Sequence, residues 1–122
     1  MTEHDSLLPP LEREFEVHVR AEPRGTVLTI SGELDVASSQ ELEHELARLH
    51  EVSLVVIDLR GLTFVDSTGL GVLVRAHQRA QERGCRLALV RGNGQVTRLL
   101  NLTGLDEQLL MGDSAEQLLA DE

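Results

Sequence analysis

At 122 residues, with 41% hydrophobic and 26% charged side chains, the chain has the length and composition of one globular domain, not of a disordered or collagenous polymer. Twenty-one acids face eleven basic residues, all arginine, and the net charge of −10 repels phosphate backbones and anionic lipid surfaces. The missing lysine removes Schiff-base, P-loop and lysine-base chemistry, and with Phe15 and Phe64 the only aromatics there is no stacking platform for bases.

Residues 1–13 carry Pro9-Pro10 among mixed polar residues and are expected to form a flexible lead-in, with a single domain over 14–122. From Phe15 the pattern alternates, placing Phe15, Val17 and Val19 on one face and Glu16, His18 and Arg20 on the other, which predicts a half-buried strand. Glu22-Pro23-Arg24-Gly25 reads as a turn into a second strand, Thr26 to Ser31, so the chain opens on a β-hairpin. A helix follows Gly32-Glu33-Leu34-Asp35. Ser38 and Glu41 fit a capping box there, and Leu42, Leu46 and Leu49 form its apolar stripe.

Leu54-Val55-Val56-Ile57 is apolar on both faces and predicts a central strand covered by helices, with Asp58 at its end leading out toward Phe64-Val65. A second helix is expected from near Ser67 to about Arg83, with Leu70, Leu73, Val74, His77 and Ala80 facing inward and Gly84 stopping it. Cys85 to Val90 reads as a strand that begins on a small buried cysteine. Gly92-Asn93-Gly94 reads as a turn, Val96 to Leu102 as a short helix ending at Gly104, Leu109 to Met111 as a last strand, and Asp113 to Leu119 as a terminal helix. This order predicts an α/β fold with a mostly parallel mixed sheet and helices packed on it.

The polar residues that carry information cluster at one strand-to-helix turn, Phe64-Val65-Asp66-Ser67-Thr68-Gly69-Leu70-Gly71. Asp66 or Ser67 can cap the helix, a role worth about 1 kcal/mol. The glycines cost about 0.5–1 kcal/mol each against alanine inside a helix, so Gly69 and Gly71 point to close backbone approach, to a neighbouring element or to a partner. A serine at a helix N-terminus also accepts a phosphate without breaking the helix, because free N–H groups and the positive dipole end lie beside it.

Together with Gly32-Glu33-Leu34-Asp35 and Val55-Val56-Ile57-Asp58-Leu59, this octapeptide resembles the STAS domain, and within that family the bacterial anti-sigma factor antagonists. The resemblance covers about residues 15 to 120 and includes Leu102-Thr103-Gly104-Leu105-Asp106. It implies a regulator of transcription that works by partner switching. The serine matching Ser67 is phosphorylated by an anti-sigma factor with serine-kinase activity. The unphosphorylated form binds that factor and frees its sigma factor, and a serine phosphatase reverses the mark. By the same resemblance Asp35 and Asp66 flank the phosphosite and contact the partner, and Thr68, Gly69, Leu70 and Gly71 belong to the docking surface. Thr68 is a second candidate acceptor. A STAS scaffold or transport-associated module without a Ser67 switch is the alternative.

Other classes find less in the residues. A phosphoryl-accepting receiver domain with Asp58 as acceptor suits the length and the parallel pattern, but two strands instead of one precede the first helix and the chain has no lysine. A serine triad would need a histidine beside Ser67, whereas His77 lies ten residues on, and no Gly-x-Ser-x-Gly elbow is present. The glycines do not extend to a dinucleotide fingerprint. Cys85 is alone, and the five histidines show no metal-ligand spacing, so no metal or cofactor is expected. The early acids and the lack of a long apolar run predict neither a signal peptide nor a membrane span. The expectation is a non-enzymatic cytoplasmic protein with no nucleic-acid or membrane partner.

Overall fold

A computed structural model describes residues 15–120. The expected lead-in over residues 1–13 lies outside the described residues. In chain order the elements are β1 (Phe15–Glu22), β2 (Gly25–Leu34), α1 (Val36–Ala47), β3 (Leu54–Val65), α2 (Ser67–Glu82), β4 (Arg86–Val90), α3 (Gly94–Thr103), α4 (Leu105–Gln108), β5 (Leu110–Gly112) and α5 (Ala115–Ala120).

The predicted hairpin pairs antiparallel from Phe15 opposite Gly32 to Glu22 opposite Gly25. Every later pairing is parallel, and the spatial order β1-β2-β3-β4-β5 follows the chain. That order decides where the helices go. Successive right-handed crossovers that advance in one direction put every crossover helix on the same face. Accordingly Leu42 of α1, Leu73 of α2 and Leu100 of α3 pack in one core with Leu28, Ile57 and Leu89 of the sheet. The opposite face buries Val27, Leu54, Val56, Ala88 and Val90 beneath Ala115 and Leu118 of α5. Leu54 to Ile57 are buried to both sides, as a central strand between two layers requires.

Several local expectations are corrected. Helix α1 starts at Val36, capped by Asp35, and Ser38 is its third residue instead of its cap. β3 does not end near Asp58 but runs on to Val65, because two irregularities in its pairing with β2, at Thr29/Ser31 and Gly32/Glu33, let it continue past Gly61. Val72, not among the expected inward residues, is fully buried, whereas Val74 and His77 are half-buried. Topology makes α2 the middle helix of its layer, so its apolar arc is wider than one stripe. Cys85 precedes β4 and is only partly buried. The one-turn helix α4 carries too short a pattern to show in the sequence.

Candidate functional site

The carboxyl ends of β2 and β3 lie side by side, with Leu34 paired to Val65. Each is followed at once by an aspartate and a helix, so two helix N-termini emerge together at one edge of the sheet. In open sheets with parallel strands this carboxyl edge is where binding sites form.

Asp35 is the N-cap of α1. Its Oδ1 accepts from the Ser38 backbone N–H at 3.1 Å, and its own N–H donates to Ser38 Oγ at 2.8 Å, a reciprocal box closed by aspartate and serine. Ser38 Oγ also donates to the Glu33 carbonyl at 2.7 Å. The Ser38 N–H and hydroxyl hold the Asp35 carboxyl below the usual carboxylate range, since both bonds favour the ionised form.

Asp66 is the N-cap of α2. Its Oδ1 accepts from the Gly69 N–H at 2.9 Å, and its own N–H donates to the Leu34 carbonyl at 3.1 Å. Of the two candidate caps, Asp66 is therefore the one used. Ser67 is the first helical residue and is exposed, as is Thr68. The N–H groups of these two residues have no intrahelical acceptor, so the hydroxyl of Ser67 stands at a positively polarised helix end beside two carboxylates.

The two glycines of the motif separate in role. A Cβ on Gly69 would lie 2.7 Å from both Cγ and the carbonyl of Leu34 and 2.9 Å from Val65 Cγ2. Its close approach is thus to the sheet. A Cβ on Gly71 would meet only the Arg75 guanidinium, at 3.3 Å, and that guanidinium bridges to Glu43 of α1 at 2.8 Å.

Of the expected docking residues, Asp35, Asp66, Thr68 and Gly71 have access to solvent, as does Ser67. Gly69 and Leu70 do not: both are buried, Leu70 within the helix-side core. The expectation that they offer surface to a partner is corrected, because helix geometry turns positions three and four of α2 onto the sheet. Two apolar residues that sequence reasoning passed over are exposed beside the two caps. Val36, directly after Asp35, is 63% exposed, and Phe64, three residues before Ser67, is 39% exposed. Alternation alone would not have found Phe64, because Leu62 and Val65 share one core and the pairing irregularity at Gly32/Glu33 breaks the phase between Leu62 and Phe64.

Asn93 holds the neighbouring helix start. It caps α3 through Val96 N–H at 2.9 Å, and its Nδ2 donates to the Leu62 carbonyl at 2.9 Å, which fixes a third helix start against β3.

Asp58 belongs to a different place. It lies inside β3 and is 4% exposed, gripped by Arg60, whose Nη2 reaches Oδ2 at 2.7 Å and whose backbone N–H reaches Oδ1 at 3.0 Å. Burial pushes its carboxyl up, but the Arg60 guanidinium and N–H, with the charge of Arg20, outweigh burial and hold it below the usual range. A carboxylate locked in this way, seven residues short of the strand's end, lacks the open position that a phosphoryl acceptor needs. His77 lies on α2 roughly 15 Å of helix rise from Ser67 and offers it no base. Among the described residues no group of three His, Cys, Asp or Glu could hold a metal ion, and no helix is long and apolar enough to cross a membrane.

The family description "STAS domain" matches residues 14–118. The chain is 32% identical over 99 residues to an anti-sigma F factor antagonist of Paenibacillus polymyxa, covering 78% of this chain and 80% of the other. It is 33% identical over 94 residues to the anti-sigma-B factor antagonist of Bacillus subtilis, covering 76% and 86%. Among solved structures it resembles an anti-sigma factor antagonist from Mycobacterium paratuberculosis, with a TM-score of 0.78, 24% identity and coverage of 88% and 92%. It also resembles the Bacillus cell fate determinant SpoIIAA in its phosphorylated form, with a TM-score of 0.70, 16% identity and coverage of 87% and 98%.

Proposed function

The chain belongs to the STAS domain family, and from that premise we propose that it is an anti-sigma factor antagonist acting by partner switching, with Ser67 as the switch. The unphosphorylated protein binds an anti-sigma factor that is also a serine kinase, and the sigma factor is released. Transfer of phosphate to Ser67 ends the complex, and a serine phosphatase restores it. Asp35, Asp66, Thr68 and Gly71, with Val36 and Phe64 as apolar anchors, form the docking surface. The cycle runs in the cytoplasm.

The observation that carries this reading is the position of Ser67: an exposed hydroxyl at the first residue of α2, between a carboxylate cap on its own helix and the capped start of α1. The two relatives, both antagonists of anti-sigma factors by name, support it, as does a protein of this fold that exists in a phosphorylated form. The physics of the switch is local. Phosphate brings about −1.5 to −2 charges to a spot where Asp66 already occupies the Gly69 amide. Only the Ser67 and Thr68 amides are left to receive it. In the free protein water solvates the rest of that charge; against a partner it is desolvated and faces acids. Driving a complex from nearly all bound to nearly all free takes about 5.5 kcal/mol, and an uncompensated interfacial charge supplies several of these.

The test is incubation with ATP and each candidate anti-sigma kinase of the same genome, read by intact mass and fragment spectra, followed by pull-down. One phosphate on Ser67, absent in Ser67→Ala, is expected, with Ser67→Ala binding constitutively and Ser67→Asp binding weakly. Equal binding by the two variants would rule out the charge switch. Absence of phosphate from every kinase would leave a STAS scaffold in which Ser67 only begins a helix.

A further inference from the structure

At the other end of α2 a cavity of about 350 Å³ opens between the C-terminal ends of α1 and α2. Its rim at Arg79 is twelve residues from Ser67, roughly 18 Å along the helix. The antagonist reading makes no use of it. Its walls are aliphatic, with Leu46 and Leu49 from the α1 side, Val52 just before β3, Val55 at its start, Ala76 from α2 and Leu87 from β4.

Its rim is charged. Arg79 and Arg83 are one turn apart and so share a flank of α2. Arg48, Arg60, Arg75 and Arg91 are each paired with a carboxylate, whereas among the described residues neither Arg79 nor Arg83 is. Glu51 is the one acid of the lining, and it holds a left-handed backbone, φ 55, which a non-glycine residue rarely adopts. The rim therefore carries a net positive charge on a chain whose overall charge is −10. Cys85 adds a thiol to the lining.

We propose that this cleft binds a free medium-chain fatty acid, its alkyl tail among the leucines and valines and its carboxylate on Arg79 and Arg83. The volume lies at the small end of ligand pockets, which suits one acyl chain better than a ring system. No aromatic side chain lines the cleft, so a nucleobase would find nothing to stack on. A cation would meet two guanidiniums. The planar fork of arginine fits a carboxylate with two parallel hydrogen bonds, and two guanidiniums against the single Glu51 carboxylate give an anion local attraction on a chain that elsewhere repels it.

The experiment is calorimetric titration of the whole chain with octanoate, decanoate and 1-decanol below their aggregation limits, alongside alkylation of Cys85 by iodoacetamide. Expected are a 1:1 complex with decanoate, an affinity that rises about threefold to fourfold per added methylene, and slowed alkylation of Cys85 when decanoate is present. The exposed double substitution Arg79→Gln/Arg83→Gln is expected to weaken decanoate at least tenfold and leave 1-decanol unchanged. No saturable binding, an affinity independent of chain length, equal binding of decanoate and 1-decanol to the unsubstituted protein, or an unprotected Cys85 would each overturn the proposal. None of these outcomes depends on whether Ser67 is phosphorylated.

Discussion

The backbone N–H of Asp66 donates to the carbonyl of Leu34 at 3.1 Å, which ties the start of α2 to the end of β2. Because Leu34 also pairs with Val65, the residue that caps α2 is held next to the one that caps α1. The acids expected to flank the phosphosite are thus neighbours through backbone geometry, whatever a partner does with them.

That bond depends on how near α2 can come to the sheet, and Gly69 sets the distance. Gly69→Ala places a methyl 2.7 Å from Leu34 Cγ and its carbonyl and is expected to cost about 1–3 kcal/mol as overpacking, measured by urea unfolding. Gly71→Ala meets only the movable Arg75 guanidinium. It is expected to be neutral or to stabilise by up to about 1 kcal/mol. If Gly71 is docking surface, this variant loses partner binding with its fold intact.

Asp66 and Ser67 separate capping from signalling. Asp66→Ala removes the bond to the Gly69 amide and is expected to cost about 1 kcal/mol. Ser67→Ala removes an exposed hydroxyl that caps nothing, with an expected change below about 0.5 kcal/mol. Thermal and urea unfolding of both variants check this, and a large loss in Ser67→Ala would mean that Ser67 shares the cap.

Asp35→Ala would be expected to spare stability if Asp35 served binding alone, but the capping box at α1 makes it structural as well. The unfolding midpoint is expected to fall by about 3–6 °C. Asp35→Asn keeps an acceptor for Ser38 N–H, so it is expected to hold the midpoint nearer to that of the parent while removing the charge, which isolates any role of that charge in partner binding.

The folded-state pKa values of Asp35 and Asp58 are both depressed. Each carboxylate therefore contributes stability that is fully present above its unfolded value of about 3.9 and is lost as pH falls through the lower folded value. Urea midpoints followed from pH 6 to pH 2 are expected to decline below about pH 4. Asp58→Asn is expected to be less stable by about 1–3 kcal/mol at pH 7, through lost charge-assisted bonds to Arg60, and to show a shallower decline in acid. A parallel decline in parent and variant would show that Asp58 is not among the groups that titrate on unfolding.

Val36 and Phe64 present apolar surface beside the two caps. Val36→Ser and Phe64→Ser are expected to leave the unfolding midpoint almost unchanged and to weaken binding to the anti-sigma factor by about tenfold, the scale of an anchor residue in an interface. Unchanged affinity for both would place the docking surface elsewhere.

Much of this architecture is legible in the residues. Turn chemistry at Pro23-Arg24, the two-sided apolar run Leu54–Ile57 and the stop at Gly84, whose φ is +72, each act within a few residues, and local signals survive into the fold. What the sequence hides depends on partners distant along the chain. β3 continues through Asp58-Leu59-Arg60-Gly61 only because β2 offers it a second stretch of ladder, and Gly61, Leu62 and Phe64 pair there with Ser31, Gly32 and Glu33. At the site the octapeptide is visible as a polar cluster, but which of its residues face inward is not. Gly69 and Leu70 turn inward because a crossover of one hand lays α2 on one face of the sheet, and no single octapeptide encodes that.

The two faces of the sheet close at different times in the life of the chain. Because strand order follows chain order, a growing polypeptide can add each strand to the last and cover the first face as α1, α2 and α3 emerge, in the N-to-C direction by which domains assemble during synthesis. The second face waits for Ala115 and Leu118. Until those residues leave the ribosome, Val27, Leu54, Val56, Ala88 and Val90 lack the cover of Ala115 and Leu118, and the nascent protein shows an apolar patch that a chaperone could bind. Completion of this fold is therefore tied to the arrival of a six-residue helix, and a released chain that ends before Ala115 would hold a half-covered sheet.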